Sequence, residues 1–384
     1  MTSWTLECSA CVPARTRDAD GFPAVCEVCG SPYLVRYATF PAPEAKAYLR
    51  AQRWTMWRYD GWLPLRDGER PVTLGEGGTP LLRVERIAAR HGFDHLWVKD
   101  EGTNPTGSFK ARGLAAAVTR AVFAGAKQFV VPTAGNAGVA LAAYATRAGA
   151  EARVYAPRTT PHTILDQIRA FGGDLMLLDG HIGDCGIAAR LHAANTGAID
   201  VSTLREPYRI EGKKTLGLEL AEQLGWKLPD AIIYPTGGGT GLIGMWKAFQ
   251  ELRQSGWLRG ILPRMFTVQS TGCAPVVQAF DSGAERVTPW PDPQTVAAGL
   301  RVPSPLGDRL MLRALRESKG GAVAVSDEAL VAAARELQVV EGIDASPEGG
   351  ATLAGAVELK RRGTLRADER VVLFNTGAGW LYRT

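Results

Sequence analysis

Lys110 ends the run Asn104-Pro105-Thr106-Gly107-Ser108-Phe109-Lys110, immediately ahead of an alanine-rich stretch that reads as a helix. A lysine in the first turn of a helix meets the positive end of the macrodipole, which disfavours its ammonium form. An amine pushed toward neutrality is a nucleophile. The ordinary alternative is a solvated surface lysine, because most lysines are exposed. The choice between them depends on what other segments offer such an amine.

Three later loops, each between a predicted strand and a predicted helix or at a strand end, carry unusual residues. In Pro132-Thr133-Ala134-Gly135-Asn136-Ala137-Gly138 the small residues let backbone amides approach an anion, and Asn136 adds a directed side-chain donor. A tight turn needing glycine and asparagine is the alternative. Pro235-Thr236-Gly237-Gly238-Gly239-Thr240-Gly241-Leu242-Ile243-Gly244 can cradle a phosphate with successive amides and a hydroxyl. It lacks Gly-Lys-Ser/Thr, and no lysine appears before Lys247, which argues against a nucleoside-triphosphate loop. Gly239-x-Gly241-x-x-Gly244 matches the dinucleotide fingerprint, but the next predicted strand ends in Gln269-Ser270, not in an acidic residue that would hold a ribose. The third loop, Asn375-Thr376-Gly377-Ala378-Gly379, offers the neutral Thr376 hydroxyl or is simply a glycine-rich turn. An amine, an anion loop, a phosphate cradle and a hydroxyl together suit a ligand with one aldehyde, one phosphate, a phenolic oxygen and a ring nitrogen. Pyridoxal phosphate is such a ligand.

These loops need a scaffold. From about residue 70 onward short apolar runs alternate with helical patterns, which predicts parallel strands covered by helices. Strands are expected at Leu96-Trp97-Val98 and over 128–131, 153–155, 175–178, 231–234, 265–268 and 371–374, with helices over 113–124, 137–147, 216–224 and 245–253. The result is an open α/β architecture with more than one sheet. The chain has 384 residues, 46% hydrophobic and 22% charged, enough for a large core and about two or three domains. Its net charge of +5 is scattered, with no block of like charge to form a nucleic-acid arm. No run approaches the roughly 20 apolar residues of a membrane span, and no basic stretch followed by an apolar core opens the chain, so a cytoplasmic location is expected.

Cys8-x-x-Cys11 and Cys26-x-x-Cys29 form a cluster, whereas Cys185 and Cys273 are isolated. Without a secretory signal, paired Cys-x-x-Cys units suggest a metal more than disulfides, and Gly30 suits the tight turn of a zinc knuckle. The readings are a structural zinc on Cys8, Cys11, Cys26 and Cys29 or a ribbon that has lost its metal. The unit ends in a predicted strand at Tyr33-Leu34-Val35-Arg36-Tyr37. It is followed by an arm bearing Trp54, Trp57, Tyr59 and Trp62, which should pack on the body or on a partner subunit. The division expected is a cysteine unit at 1–38, an arm and first part of a large domain at 39–105, a smaller α/β domain at 106–215, and a large cofactor-phosphate domain at 216–384.

Over essentially the whole chain the sequence resembles the fold-type-II pyridoxal-phosphate enzymes, and within them it is similar to the threonine synthases. The matching stretches are Leu74-Gly75-Glu76-Gly77-Gly78-Thr79-Pro80-Leu81, 104–110, 133–138, Arg209-Ile210-Glu211-Gly212-Lys213-Lys214-Thr215, the Gly237 loop and 375–379. The amino-terminal cysteine unit is also similar to one in many threonine synthases. The resemblance implies a tryptophan synthase β-like fold of two open α/β domains, with a zinc-ribbon-like unit in front.

The resemblance gives Lys110 a Schiff base with the cofactor aldehyde and Asn136 a hydrogen bond to the ring hydroxyl oxygen. It gives the phosphate to Gly237, Gly238, Gly239, Thr240 and Gly241, and the ring nitrogen to Thr376. It implies that Thr133, Ala134 and Gly135, together with Asn136, bind the substrate carboxylate. A substrate phosphate needs a cationic pocket, for which Arg209, Lys213, Lys214 and Arg112 are candidates. Ala111 stands where many relatives have aspartate, and Glu206-Pro207 where many have Asn-Pro. A carboxylate close to a phosphate would repel it by about 1 kcal/mol or more.

The implied activity converts O-phosphohomoserine and water to threonine and phosphate, in a homodimer acting on a small amino acid. One alternative is a related enzyme that eliminates or replaces a β substituent on serine, threonine, diaminopropionate or a phosphorylated amino acid. A catalytically silent metal-binding scaffold is another; a nicotinamide oxidoreductase is opposed by Gln269-Ser270.

Overall fold

The computed structural model describes residues 3–19 and 21–383. Three sheets carry the chain. The first is small and antiparallel, with β1 (Trp4–Cys8) between β2 (Thr16–Asp18) and β3 (Tyr33–Tyr37). A short helix α1 (Lys46–Leu49) follows in the arm, and then β4 (Leu81–Arg83), α2 (Glu85–His91) and β5 (His95–Asp100).

The next stretch builds a four-stranded parallel sheet: α3 (Lys110–Phe123), β6 (Gln128–Pro132), α4 (Asn136–Arg147), β7 (Glu151–Pro157), α5 (His162–Ala170), β8 (Asp174–Leu178), α6 (Ile182–Thr196) and β9 (Ile199–Asp200). Its order is β8-β7-β6-β9. The chain continues through α7 (Tyr208–Gln223), β10 (Ala231–Pro235), α8 (Thr240–Gln254), β11 (Arg264–Ser270), α9 (Pro275–Asp281) and α10 (Asp308–Glu317). It closes with β12 (Gly321–Val325), α11 (Asp327–Glu341), α12 (Pro347–Arg361) and β13 (Arg370–Asn375). These strands join β4 and β5 in a six-stranded sheet of order β12-β11-β10-β13-β5-β4, parallel except for β4.

The architecture is α/β, with every strand expected from the apolar runs present and β1, β2, β4, β9 and β12 added. Strands of the large sheet read as nearly continuous apolar runs because helices cover both faces; Ile232, Ile233, Val371, Val372 and Leu373 are fully buried. The small cysteine sheet buries Trp4, Leu6 and Val35 in the same core as α3 and α4.

Two expectations need correction. The boundary at 215 falls inside α7, an unbroken helix, so no unit ends there. Helix α7 also begins at Tyr208, eight residues before the expected start at 216, because the charged run 209–215 is buried between helices and is not a solvated loop. The aromatic arm folds back on its own chain: Tyr59 and Trp62 are buried in the core beneath the large sheet, with Trp62 edge-on to Trp257 at 5.3 Å. It therefore supplies no argument for a second subunit. Among the described residues no helix is long and apolar enough to cross a membrane.

Candidate active site

The loops that drew attention in the sequence all follow the carboxyl ends of parallel strands, where open α/β sheets leave helix amides unpaired. Lys110 is the first residue of α3, and the segment before it is zipped to the loop after β13. Phe109 donates its amide to the Thr376 carbonyl at 3.0 Å, Ala378 donates to the Gly107 carbonyl at 2.8 Å, and Ser108 bridges Gly377. Thr106, in the turn ahead of the lysine, has a φ of 65°, a conformation uncommon outside glycine and often found where a site fixes its backbone.

The Lys110 residue keeps some accessible surface while its amine is enclosed. Burial, seconded by the Arg209 charge and opposed by Glu348, lowers the amine to about 7. The direction is the one expected from the sequence, and desolvation is its main cause.

Asn136 begins α4. Its Nδ2 donates to the Tyr382 hydroxyl at 3.3 Å, and its Oδ1 is buried without a partner. A Cβ at Gly377 would lie 3.3 Å from Asn136 Nδ2, so the Asn136 amide and the Thr376 loop adjoin. Ser108 Oγ is likewise buried and unpartnered. In the loop before α4, the Thr133 hydroxyl donates to the Gly135 carbonyl and accepts the Gly135 amide, both at 3.0 Å. These two groups hold the loop's shape, leaving the first amides of α4 to face an anion.

The glycine loop runs from the end of β10 into α8. Gly239 has a φ of 76°, which a side chain rarely tolerates. Gly241 is required by close approach, since a Cβ there would run into the Tyr234 hydroxyl. That hydroxyl is buried and unpartnered, and the Tyr234 ring meets Phe109 at 6.3 Å, which joins the glycine loop to the lysine segment. Gln269 plays no ligand role: its Oε1 accepts the Val276 and Val277 amides at 2.9 and 3.2 Å, capping α9.

Of the four cations considered for a substrate phosphate, two are corrected. The Arg112 guanidinium is gripped by Glu101 at 2.6 and 2.8 Å and by Glu219 at 3.0 Å. Lys214 pairs with Glu211 at 2.7 Å and Glu251 at 2.9 Å. Both charges are buried and neutralised within the core, so neither is free for a ligand. Lys213 donates to the Phe109 carbonyl and lies 3.9 Å from the centre of the Phe109 ring; burial and the Lys110 charge hold its amine well below the ordinary lysine range. It braces the lysine segment from behind and does not stand free for a ligand.

Arg209 differs from all three. Its Nη1 donates to the Val201 carbonyl at 2.7 Å, while Nε and Nη2 are buried with no acceptor. Glu206 does not oppose it across a binding space: the carboxylate turns to the backbone and accepts the Tyr208 amide at 2.7 Å and the Arg209 amide at 3.0 Å. Burial raises the Glu206 carboxyl to about 7, so it carries only part of a charge near neutrality.

Sequence reasoning missed Glu348 and Tyr382. Ser346-Pro347-Glu348 reads as an ordinary helix start, and Tyr382 follows the Thr376 loop with no motif to single it out; only the fold brings them beside Lys110 and Asn136. In the amino-terminal unit, the four sulfurs of Cys8, Cys11, Cys26 and Cys29 lie within 4.8 Å of one another. None of the four is in a disulfide.

An enclosed amine, an orphaned amide oxygen on a loop that adjoins the Thr376 loop and a side-chain-free loop at a helix start fit an aldehyde-bearing phosphorylated ring. The chain belongs to the pyridoxal-phosphate dependent enzymes, whose family profile matches residues 72–377, and its cofactor is accordingly pyridoxal phosphate. It is 34% identical to a threonine synthase of Methanosarcina acetivorans over 97% of this chain and 91% of the relative. It is also 34% identical to a threonine synthase of Methanocaldococcus jannaschii, over 95% and 90%. Within the wider class, these matches put the chain in the threonine synthase family. Among solved structures, maize serine racemase superposes with a TM-score of 0.69 at 25% identity, covering 78% of this chain and 88% of that one.

Proposed function

We propose that the protein converts O-phosphohomoserine and water to threonine and phosphate, with pyridoxal phosphate held by Lys110, Asn136, the 237–241 loop and Thr376. The observation that carries the substrate is Arg209, which keeps two buried donors unpartnered and whose charge acts on the Lys110 amine. A buried cation with donors unmet is costly unless an anion arrives, and a planar guanidinium suits a phosphate.

Bound pyridoxal phosphate supplies an aldehyde for the substrate amine and a ring that accepts electrons from the carbon skeleton. The protein does the rest. Lys110, with an amine near 7, can both take and return a proton at the substrate carbons near neutral pH. The first amides of α4 orient the substrate carboxylate. Arg209 holds the substrate phosphate in place and stabilises the charge that grows on its oxygen as the bond to the γ carbon breaks. Water adds at the β carbon, and the Thr376 hydroxyl meets the ring nitrogen without a charge.

Zinc in the cysteine cluster is part of the same reading. A tetrahedral zinc with sulfurs at about 2.3 Å separates them by about 3.8 Å, close to the 3.4, 3.8 and 3.5 Å of the Cys8–Cys29, Cys11–Cys26 and Cys11–Cys29 pairs. The decisive experiment offers O-phosphohomoserine to the purified, cofactor-loaded protein. Threonine and phosphate in equal amounts support the proposal; 2-oxobutanoate or pyruvate as the product overturns it in favour of β-elimination.

A further inference from the structure

Tyr208 opens α7 and is fully buried. Its hydroxyl donates to the Ala19 carbonyl at 2.9 Å, and its ring meets that of Phe22 with centroids 5.0 Å apart. Both partners belong to the amino-terminal cysteine unit. They hang from the loop that leaves the unit at Cys11 and returns at Cys26, whose sulfurs lie 3.8 Å apart. Three residues along α7, Glu211 Oε2 accepts the Tyr37 hydroxyl of β3 at 2.6 Å. Residues 208 and 211 lie on one face of the helix, so that face is docked on the cysteine unit at two points.

Arg209 and Lys213 share the neighbouring face. It lies against the first turn of α3, because a Cβ on Gly113 would stand 3.2 Å from the Arg209 carbonyl and 3.0 Å from Lys213 Cε. The Arg209 guanidinium is tied at one atom, Nη1, to the Val201 carbonyl at 2.7 Å, while Nε and Nη2 have no acceptor. Such a side chain takes the rest of its direction from its backbone, and helix ends fray unless they are held. Here the first turn is held from within by Glu206, which accepts the Tyr208 and Arg209 amides, and from outside by Ala19 and Phe22.

We propose that the cysteine unit is part of the substrate-phosphate site, with Tyr208 as a positioning residue: gripped by Ala19 and Phe22, it fixes the turn of α7 that aims Arg209.

The unit can serve as a fixed point because it shares a core with the helices of the site. Trp4, Leu6 and Val35 pack in one cluster with Ala111, Leu114 and Tyr208. Misplacing a binding group by about 1 Å is enough to weaken its contribution, so a loosened first turn would cost phosphate affinity without touching any group that meets the cofactor.

The role rests on Arg209 taking the substrate phosphate, as proposed above, and the test separates the two. Full-length, cofactor-loaded protein is titrated with inorganic phosphate by calorimetry. It is titrated in parallel with L-homoserine, the same skeleton without the phosphate, followed by the absorbance of the bound cofactor. Tyr208→Phe removes one neutral hydrogen bond to the unit and should weaken phosphate binding about three- to tenfold, with homoserine bound as in the parent. For O-phosphohomoserine, KM should rise by more than kcat falls. Phosphate binding unchanged in Tyr208→Phe, or weakened no more than homoserine binding, overturns the proposal while Arg209 keeps its assignment. If Arg209→Met binds phosphate as the parent does, the substrate assignment itself falls and this role falls with it. Should Tyr208→Phe fail to fold, Phe22→Ala decides from the other side of the contact: phosphate affinity and KM equal to the parent's are then the overturning result.

Discussion

Glu206 accepts the backbone amide of Arg209 at 3.0 Å, and so the carboxylate that stands where many relatives carry asparagine caps the very helix that presents the guanidinium. The feature that promised repulsion of a phosphate instead secures the start of α7. With Glu206 turned to the backbone, Arg209 Nε and Nη2 keep their donors unmet.

Replacement of Arg209 by methionine should therefore strike substrate affinity before cofactor binding. Hydrogen bonds to a charged group contribute about 1.5–3 kcal/mol each, so kcat/KM for O-phosphohomoserine should fall by roughly tenfold to more than a hundredfold. The absorbance of bound pyridoxal phosphate should stay at the parent level. Steady-state kinetics beside a cofactor spectrum checks this, and a cofactor lost with unchanged KM would contradict it.

Lys110 should react at an unusually low pH. The neutral amine is the nucleophile, and burial lowers it to about 7, so the rate of cofactor attachment to the cofactor-free protein should rise through that pH and level off above it. A solvated lysine would still be gaining rate near pH 10. Stopped-flow absorbance over a pH series gives the profile; Lys110→Ala should abolish borohydride-stable labelling.

Gly241→Ala should weaken pyridoxal phosphate binding sharply, because the added carbon meets the Tyr234 hydroxyl and must displace either the ring or the loop. Adding Tyr234→Leu removes the hydroxyl and the ring carbons that the new Cβ would meet, and the double variant should regain part of the loss. Fluorescence titration with the cofactor measures both, and an additive pair of defects would argue against this contact.

Arg112→Met should destabilise the fold. It leaves Glu101 and Glu219 facing each other in the interior with Lys99 as their cation among the described residues. Removing one partner of a buried ion network costs about 3–5 kcal/mol, which denaturant unfolding would register. If the variant unfolds like the parent and instead shows a raised KM, Arg112 belongs to the substrate site after all.

Much of this arrangement was legible along the chain because it obeys local rules. Glycines and hydroxyls after an apolar run mark a strand end where amides are exposed, and that is enough to single out the 132–138, 235–244 and 375–379 loops. Arg112, Arg209, Lys213 and Lys214 could not be sorted the same way. All four sit in helices, and what distinguishes them is whether a carboxylate from a distant segment reaches them: Glu101 and Glu219 meet Arg112, Glu211 and Glu251 meet Lys214, and Arg209 keeps two donors unmet. Glu348 and Tyr382 were hidden for the same reason, as their partners lie far away in sequence. The start of α7 escaped notice because a run of charged residues ordinarily reads as solvated, and here it is neutralised in the interior.

Strand β13 lies between β10 and β5 in the large sheet. During synthesis, a nascent chain that has emerged as far as residue 369 already carries Lys110, Asn136 and the glycine loop, yet it has nothing with which to join β5 to β10. Those edges must wait, unpaired and apolar, for β13 to leave the ribosome, the interval in which exposed strand edges are prone to aggregation. Arrival of β13 then seats the Thr376 loop against the lysine segment, so completion of the sheet and completion of the catalytic centre are a single event.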